Sequence, residues 1–151
     1  MAEYLVQALS YFASLETLIA LAIGVMGGLI IGIIPGLGPS VGIALLLPIS
    51  FSMDPVPALV MMTSMYATGV YGGSITAVLC HTPGTAASAA TASDGYWMTK
   101  NGRGMEAISI VTVASVVGGI IGSLCLIFFA PVLGNLSLMF SALSFARAIG
   151  L

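Results

Sequence analysis

The hydrophobic positions of this chain form long runs that are interrupted by proline and glycine and hardly at all by charge. No charged residue occurs in 17–53, 55–93 or 107–146. Uncharged apolar runs of roughly 18 residues or more are typical of membrane-spanning helices. The pattern predicts two full spans, 17–34 and 107–129, and the first would be about 27 Å long at about 1.5 Å per residue.

Residues 1–16 follow a different pattern, in which apolar side chains recur at helical spacing among polar ones. This pattern predicts a short amphipathic helix at the membrane interface, followed by a transmembrane domain over 17–151. It suits the first turns of the next helix equally well.

Two breaks divide the apolar sequence, and each is followed by a run that is too short to cross a membrane. The first break, 35–39, has the sequence PGLGP and precedes a half-helix at 40–47. The second break, 81–84, has the sequence HTPG and precedes a small-residue run at 85–92, for which Thr82 would be the N-cap. Because a span needs about 20 residues, these runs predict discontinuous helices.

Four further segments complete the pattern. A loop is expected at 54–57, and a polar solvent loop at 94–106. The segment 58–80 is long enough to span but is interrupted by three glycines, and its hydroxyl groups indicate that it faces protein or a cavity rather than lipid. The apolar run 133–145 is either a short helix or the start of another span.

Small residues repeat at four-residue intervals along the first predicted span, at Gly24, Gly28, Gly32 and Gly36. Such a face lets another helix backbone approach closely, so we predict helix packing here rather than ligand contact. A second face of this kind, Ala114, Gly118 and Gly122, lies on the later span.

Composition strengthens the membrane prediction. The chain has three basic and five acidic residues among 151 and a mean hydropathy of +1.17, which leaves too little charge for a soluble surface. We therefore predict an all-α, polytopic integral membrane protein with discontinuous (re-entrant or half) helices. No basic patch predicts a nucleic-acid partner, one histidine and two cysteines do not make a metal site, and the N-terminus lacks the basic region of a signal peptide.

The two breaks also carry the candidate chemistry. Irregular backbone survives at membrane depth only where protein buries it or where it lines a watery cavity. A helix that begins there points free N–H groups and its positive dipole end at the cavity, which favours an anion. We expect backbone N–H groups near 36–40 and 84–86 to hold a carboxylate, with hydroxyl groups from Ser40, Ser74, Thr82 and Thr85. Half-helix carbonyls would suit a coupling cation, sodium or proton.

A plainer interpretation stands beside this one, because Pro-Gly turns also end ordinary helices. His81 is more readily explained as a hydrogen-bonded polar residue than as a proton relay, and Tyr71 suits packing as well as gating.

Three ordered motifs extend the pattern. They are GLIIGIIPGLGPSVGIALLLPISF at 28–51, YATGVYGGSITAVLCHTPGTAASAATASDGYWM at 66–98 and NGRGMEAISI at 101–110. With these motifs the chain resembles the large membrane subunit of the tripartite tricarboxylate transporters, the TctA family. The family pattern carries over at 35–39, at 71–74, at 83–84 and at 94–96, whereas the family usually has asparagine at the position of His81.

The resemblance implies a function. The family's large subunit imports carboxylates such as citrate across the bacterial cytoplasmic membrane, driven by an ion gradient, with a small membrane subunit and a periplasmic solute-binding protein. Its members are longer and have two related halves, so this chain corresponds to the N-terminal part and would need the remaining half. Together with the break chemistry, this gives the predicted substrate site: Pro35, Gly36, Leu37, Gly38, Pro39, Ser40, Tyr71, Gly72, Gly73, Ser74, Thr82, Pro83, Gly84 and Thr85.

Two alternatives to a transport subunit remain at this stage. The chain would be a structural membrane subunit, or a non-functional fragment, if its glycine faces pack on partner helices and no substrate binds. An intramembrane enzyme is disfavoured because the sequence offers no nucleophile–base pair.

Overall fold

The computed structural model describes the chain at residues 12 and 14–149, and its side chains through residue 134 and at residue 137. Five helices are described in this part of the chain, with no strand, which confirms the all-α prediction. They are α1 (Leu15–Ile33), α2 (Gly38–Ser50), α3 (Pro55–Cys80), α4 (Ala89–Lys100) and α5 (Gly104–Ile149). The amphipathic helix expected at 1–16 lies almost wholly outside the described residues.

Two of these helices are long and apolar enough to cross a membrane. They are α1 and the 31-residue stretch Gly104–Gly134 of α5, which match the two predicted spans. The 26-residue helix α3 buries residues such as Met61, Met65 and Ala77 against its neighbours, in agreement with its expected contact with protein. The chain divides into two compact units, residues 1–112 and residues 113–151. The second unit carries exposed large apolar side chains such as Val116 and Phe128.

Within the first unit, α1 packs against α3 through its glycines. Ser14 caps α1 by accepting a hydrogen bond from the Thr17 amide at 3.3 Å. A Cβ added at Gly24 would overlap Met61 and Ser64, and one added at Gly28 would overlap Met65 and Thr68. Residue numbers in the contacting pairs rise together, so the two helices run parallel.

This contact confirms that the glycine stripe serves packing. Gly32 extends it to the backbone of Gly69, whereas Gly36 does not belong to it. Gly36 lies beyond the end of α1, with a φ of +88°, and a Cβ there would meet no atom within 4 Å.

The short helix α2 runs back against both of these helices, since Gly42 lies next to Ile31 and Met65. A Cβ on Gly69 would lie 2.7 Å from the Pro39 Cβ, and one on Gly42 would lie 2.5 Å from the Met65 side chain. Residue numbers rise along α2 as they fall along α3, so α2 is antiparallel to it. The start of α3 therefore returns to the end of the unit at which α1 begins.

Helix α4 packs on the C-terminal end of α3. The Gly95 backbone contacts Val78, since a Cβ there would lie 2.7 Å from the Val78 Cγ2. Thr99 donates a hydrogen bond from its hydroxyl group to the Val78 carbonyl at 2.8 Å.

Several predicted boundaries are wrong. The loop expected at 94–106 is helical as far as Lys100, because Gly95 and Thr99 fit it against α3. The segment 58–80 is an unbroken part of α3, because its glycines fit close contacts with neighbouring backbone. The loop expected at 54–57 is the N-cap and first turn of α3.

Two prolines expected to end helices instead lie inside them, Pro48 in α2 and Pro131 in α5. A proline inside a helix removes one backbone hydrogen bond but leaves the helix able to continue past it. The run at 133–145 is accordingly part of α5 and not a separate element.

Candidate functional site

The two Pro-Gly breaks lie next to each other in the fold. A Cβ on Gly38 would lie 3.9 Å from the carbonyl oxygen of Gly84. Gly84 itself is buried between α1 and α3, since a Cβ there would lie 2.8 Å from the Gly73 Cα and 2.9 Å from the Gly32 carbonyl oxygen. These breaks are 46 residues apart in the sequence, and the packing of α1 on α3 through its glycines brings them together.

The first break is a tight turn that requires glycine. Gly36 and Gly38 have φ values of +88° and +64°, a region that costs most residues strain. The Leu37 amide donates to the Ile34 carbonyl at 3.3 Å, and α2 then begins at Gly38 without a side-chain cap. Because a helix leaves its first N–H groups without intrahelical partners, the Gly38 and Ser40 amides at the start of α2 lack such partners, whereas Pro39 has no N–H. That these amides hold a carboxylate stays a prediction.

The second break differs from its prediction. Thr82 is not an N-cap, since its hydroxyl group donates to the Cys80 carbonyl at 2.9 Å. The next helix begins only at Ala89, after a turn in which the Thr85 amide donates to the Ser88 Oγ at 3.0 Å. The Gly84 amide donates to the Gly73 carbonyl at 3.4 Å. Two of the amides expected to face a ligand are therefore hydrogen-bonded within the protein.

The VYGGS segment faces neighbouring helices. The Tyr71 hydroxyl group lies 2.8 Å from the Thr112 Oγ1, which itself donates to the Ile108 carbonyl at 2.8 Å. Tyr71 is therefore the donor to Thr112. Gly72 and Gly73 fit close backbone contacts, and the buried Ser74 donates to the Val70 carbonyl at 3.4 Å. This environment matches the packing interpretation of Tyr71, and gating stays a prediction.

Exposure separates the predicted site residues into three groups. The exposed ones are Pro35, Gly36, Leu37, Ser40, Thr82 and Pro83; the half-buried ones are Gly38, Pro39, Tyr71 and Thr85; the buried ones are Gly72, Gly73, Ser74 and Gly84. A ligand that approaches the breaks would meet the first two groups. The buried residues hold the breaks in position.

Sequence reasoning overlooked a cluster beside the second break. His81 ends α3 in a left-handed conformation with a φ of +56°. Its Nδ1 donates to the Ala92 carbonyl at 3.1 Å, which confirms the hydrogen-bonded interpretation of this residue. The imidazole stacks on Tyr96 with ring centroids 4.8 Å apart, and the Lys100 ammonium lies 5.0 Å from the same ring centroid. The spacing of Ala92, Tyr96 and Lys100 at four-residue intervals was a usable signal, which the expected loop at 94–106 concealed.

Two cavities lie away from the breaks. One of about 460 Å³ adjoins the beginnings of α1 and α3 and includes the carboxylates of Glu16 and Asp54. The other, of about 190 Å³, is a largely apolar groove between α4 and the start of α5, with Asp94 at its edge. Neither is lined by the predicted site residues. No group of metal-ligating side chains occurs within the described residues.

Arg103, which precedes α5, forms an ion pair with Glu106. Arg103 donates to Glu106 through its Nε at 2.7 Å and its Nη2 at 2.6 Å. The hydrogen bond with this carboxylate raises the pKa of the Arg103 guanidinium above its ordinary value. Arg103 therefore already has an anionic partner.

The described residues form helices without strands, two of these helices are long and apolar enough to cross a membrane, and the two breaks meet where α1 packs on α3 through glycine. The chain belongs to the tripartite tricarboxylate transporter TctA family, whose model matches residues 18–149. This is a family of transporters and not of enzymes.

One relative from Agrobacterium vitis is described as an uncharacterized 52.8 kDa protein in the TAR-I ttuC' 3' region. The chain is 42% identical to it over 120 residues, which cover 80% of the chain and 24% of the relative. The matched part is thus about a quarter of that relative's length. No solved structure matches the chain significantly.

Proposed function

We propose that the chain is part of the large membrane subunit of a secondary transporter for organic carboxylates, and that the meeting point of its two breaks contributes to the substrate site. The single observation that carries this proposal is the approach of the two breaks, where a Cβ on Gly38 would lie 3.9 Å from the Gly84 carbonyl oxygen. Two breaks distant in the sequence converge on one place in a chain that belongs to a transporter family.

The depth of the breaks supports this role. The contacts of Pro39 and Gly84 fall at Gly69 and Gly73 of α3, roughly 21 and 27 Å from its first residue at about 1.5 Å per residue. The first residues of α1 and α3 adjoin the charged groups Glu16 and Asp54, which belong at a water interface. With a hydrocarbon core about 30 Å thick, Pro39 and Gly84 would then lie inside the membrane, with Gly84 close to its far boundary.

The short length of α2 supports a re-entrant arrangement. Its 13 residues extend for about 20 Å, too short to cross the membrane. In the proposed arrangement, α1 and α2 form a re-entrant pair, with the PGLGP turn at its inner tip. The backbone there is irregular, and it is tolerated because α3 covers one side and a water-filled substrate path would cover the other.

The chemistry of that tip favours an anion. In the first turn of α2 the amides of Gly38 and Ser40 point out of its N-terminus, since Pro39 has no N–H, and the helix dipole adds positive potential there. Ser40, which is exposed, would add a hydroxyl donor. A carboxylate group fits these donors without any charged side chain at the turn.

The transporter would act with several partners. We propose import across a bacterial cytoplasmic membrane, driven by a sodium or proton gradient, with a periplasmic binding protein, a small membrane subunit and the remainder of the large subunit. The family's tripartite organisation supports these partners. Citrate is the first substrate to test.

The test is uptake of labelled citrate by cells or vesicles that contain the complete set of subunits. We would compare Gly38→Leu with Gly102→Leu, since both glycines have positive φ, +64° and +76°, and a Cβ at either has no atom closer than 3.9 Å. Both variants carry backbone strain of about 1–2 kcal/mol. Uptake should fall only in Gly38→Leu, because its side chain would fill the space at the breaks. Equal uptake in the two variants would remove the breaks from the substrate path.

A structural subunit is the second candidate, and the later glycines favour it. A Cβ at Gly118 or Gly122 would meet no atom of the described structure within 4 Å, unlike one at Gly28. These positions are free to receive a partner helix. Cross-linking through Cys substituted at Gly118, without any stabilisation by citrate, tartrate or succinate, would support this function over transport.

A further inference from the structure

The turn between α4 and α5 carries exposed basic side chains that the proposed substrate site does not use. They are Lys100 and Arg103, on either side of Gly102, whose φ of +76° makes the turn. We propose that this turn, residues 100–103, binds the anionic phospholipid headgroups of the cytoplasmic leaflet, so that the beginnings of α1 and α3 face the periplasm. The inference rests on the proposed function, because it takes α1 and α3 to cross a bacterial cytoplasmic membrane.

Two hydrogen bonds place the turn at one end of the first unit. Thr99, just before the turn, donates its hydroxyl group to the Val78 carbonyl near the end of α3 at 2.8 Å. After the turn, Thr112 of α5 lies 2.8 Å from the hydroxyl group of Tyr71, further back along α3. Residues 104–112 of α5 therefore lead away from this end of the unit, and the turn remains at it.

The length of α3 separates the turn from the other end of the unit. From Pro55 to Val78, α3 extends for about 35 Å at about 1.5 Å per residue. The hydrocarbon core of a membrane is about 30 Å thick. The turn and the shared cavity of Glu16 and Asp54 would therefore reach opposite headgroup regions.

The two ends of the unit differ in the charges that they carry. Both basic residues with described side chains, Lys100 and Arg103, lie at the turn, whereas the charged side chains described at the other end are the carboxylates of Glu16 and Asp54. Lysine and arginine are enriched on the cytoplasmic side of membrane helices, and acidic residues contribute little to this bias. The charge pattern therefore favours the turn as the cytoplasmic end.

The side chains beside the turn suit a headgroup region. Trp97 is 63% exposed, and tryptophan is enriched at the membrane–water interface. Lys100 lies one helical turn further along α4, and its ammonium group is 5.0 Å from the ring centroid of Tyr96, a contact that leaves its N–H donors for a phosphate. Arg103 donates through Nε and Nη2 to Glu106, which leaves further guanidinium N–H groups. An anionic headgroup fits these donors.

The single tryptophan of the chain allows a direct test of the lipid contact. We would reconstitute the full chain in vesicles of phosphatidylcholine with a minor fraction of phosphatidylglycerol, and compare vesicles in which an equal mole fraction of one lipid or the other carries bromine near its headgroup. Brominated phosphatidylglycerol should quench the fluorescence of Trp97 more strongly, because each basic residue near the surface enriches an anionic lipid about fivefold. Equal quenching by the two lipids would overturn the contact.

Charge variants provide the control for this measurement. The double substitution Lys100→Gln and Arg103→Gln should abolish the difference between the two lipids. Lys100→Arg keeps the positive charge and should preserve the difference. A difference that survives the double substitution would remove the two basic side chains from the contact.

Cysteine labelling tests the orientation. Cys80 and Cys125 would be replaced by serine, and a single cysteine introduced at Asn101 in the turn or at Ser52 before α3, both of which are exposed. A membrane-impermeant maleimide added to intact spheroplasts should label Ser52→Cys at once, and Asn101→Cys only after permeabilisation. Labelling of Asn101→Cys in intact spheroplasts would overturn the orientation.

Uptake of labelled citrate, tartrate and succinate by the complete set of subunits separates this inference from the proposed function. Uptake combined with reversed labelling would overturn the orientation alone. The expected labelling and quenching without any uptake would overturn the transport proposal alone. Failure of both positions to react after permeabilisation would overturn the membrane placement on which the two proposals rest.

Discussion

A close backbone contact between α1 and α3 makes a quantitative prediction about Gly28. An alanine there would place its Cβ on the Met65 carbonyl oxygen and the Thr68 hydroxyl group, and the carbonyl belongs to backbone that cannot swing away. Overpacking of this kind typically costs about 1–3 kcal/mol. The gain in helix propensity from glycine to alanine, up to about 1 kcal/mol, offsets only part of that cost.

Gly27, the adjacent residue, provides a matched control. A Cβ at Gly27 would lie 3.2 Å from the Met65 Cε, the mobile end of a flexible side chain. Gly27→Ala should therefore be neutral or slightly stabilising, because the methionine adapts and the helix propensity rises.

Thermal unfolding in detergent, followed by circular dichroism, would compare the two variants. At about 2–4 °C per kcal/mol for a chain of this size, Gly28→Ala should lower the Tm by a few degrees while Gly27→Ala holds it or raises it. Equal Tm values for the two variants would refute the parallel packing of α1 on α3 through this glycine stripe.

Two further predictions concern polar contacts around the breaks. Tyr71→Phe removes the hydrogen bond to Thr112 and should cost about 0.5–1.5 kcal/mol in the free energy of unfolding. Ser88→Ala should lower the free energy of unfolding by more, about 1–3 kcal/mol. Ser88 is fully buried, and its replacement would leave the Thr85 amide without its hydrogen-bond acceptor. Ser123→Ala, at an exposed hydroxyl group, is the control for both and should change the unfolding free energy by less than either. Chemical denaturation in detergent measures all three, and an effect of Ser88→Ala no larger than that of Ser123→Ala would contradict the described turn.

Much of the helical pattern could be predicted from the sequence because it depends on local chemistry. Long uncharged runs gave α1 and the apolar part of α5, and the four-residue spacing of glycine gave the packing face at Gly24, Gly28 and Gly32. The PGLGP turn was also predictable, since proline and glycine restrict or free the backbone of their own residues.

The rest depends on contacts between distant residues. The helical state of 94–100 follows from the fit of Gly95 and Thr99 against Val78, which no local pattern reports. The continuity of α3 through Gly69, Gly72 and Gly73 likewise follows from neighbours that accept no side chain there. At the second break, the Ser88 hydroxyl group satisfies the Thr85 amide, so the helix begins later than the nearest proline suggested. The meeting of the two breaks is of the same kind, because it requires α2 to run back.

Because α2 runs back along α3, it affects the number of membrane crossings that should be counted before residue 54. A count of helices that are long and apolar enough to cross includes α1 but omits the 13-residue α2, and it would place Asp54 on the opposite membrane face from Ser14. The fold places Ser14 and Asp54 around one cavity, at the same end of the first unit. If α1 crosses a membrane, every sidedness assignment after residue 50 is inverted unless the short helix is counted.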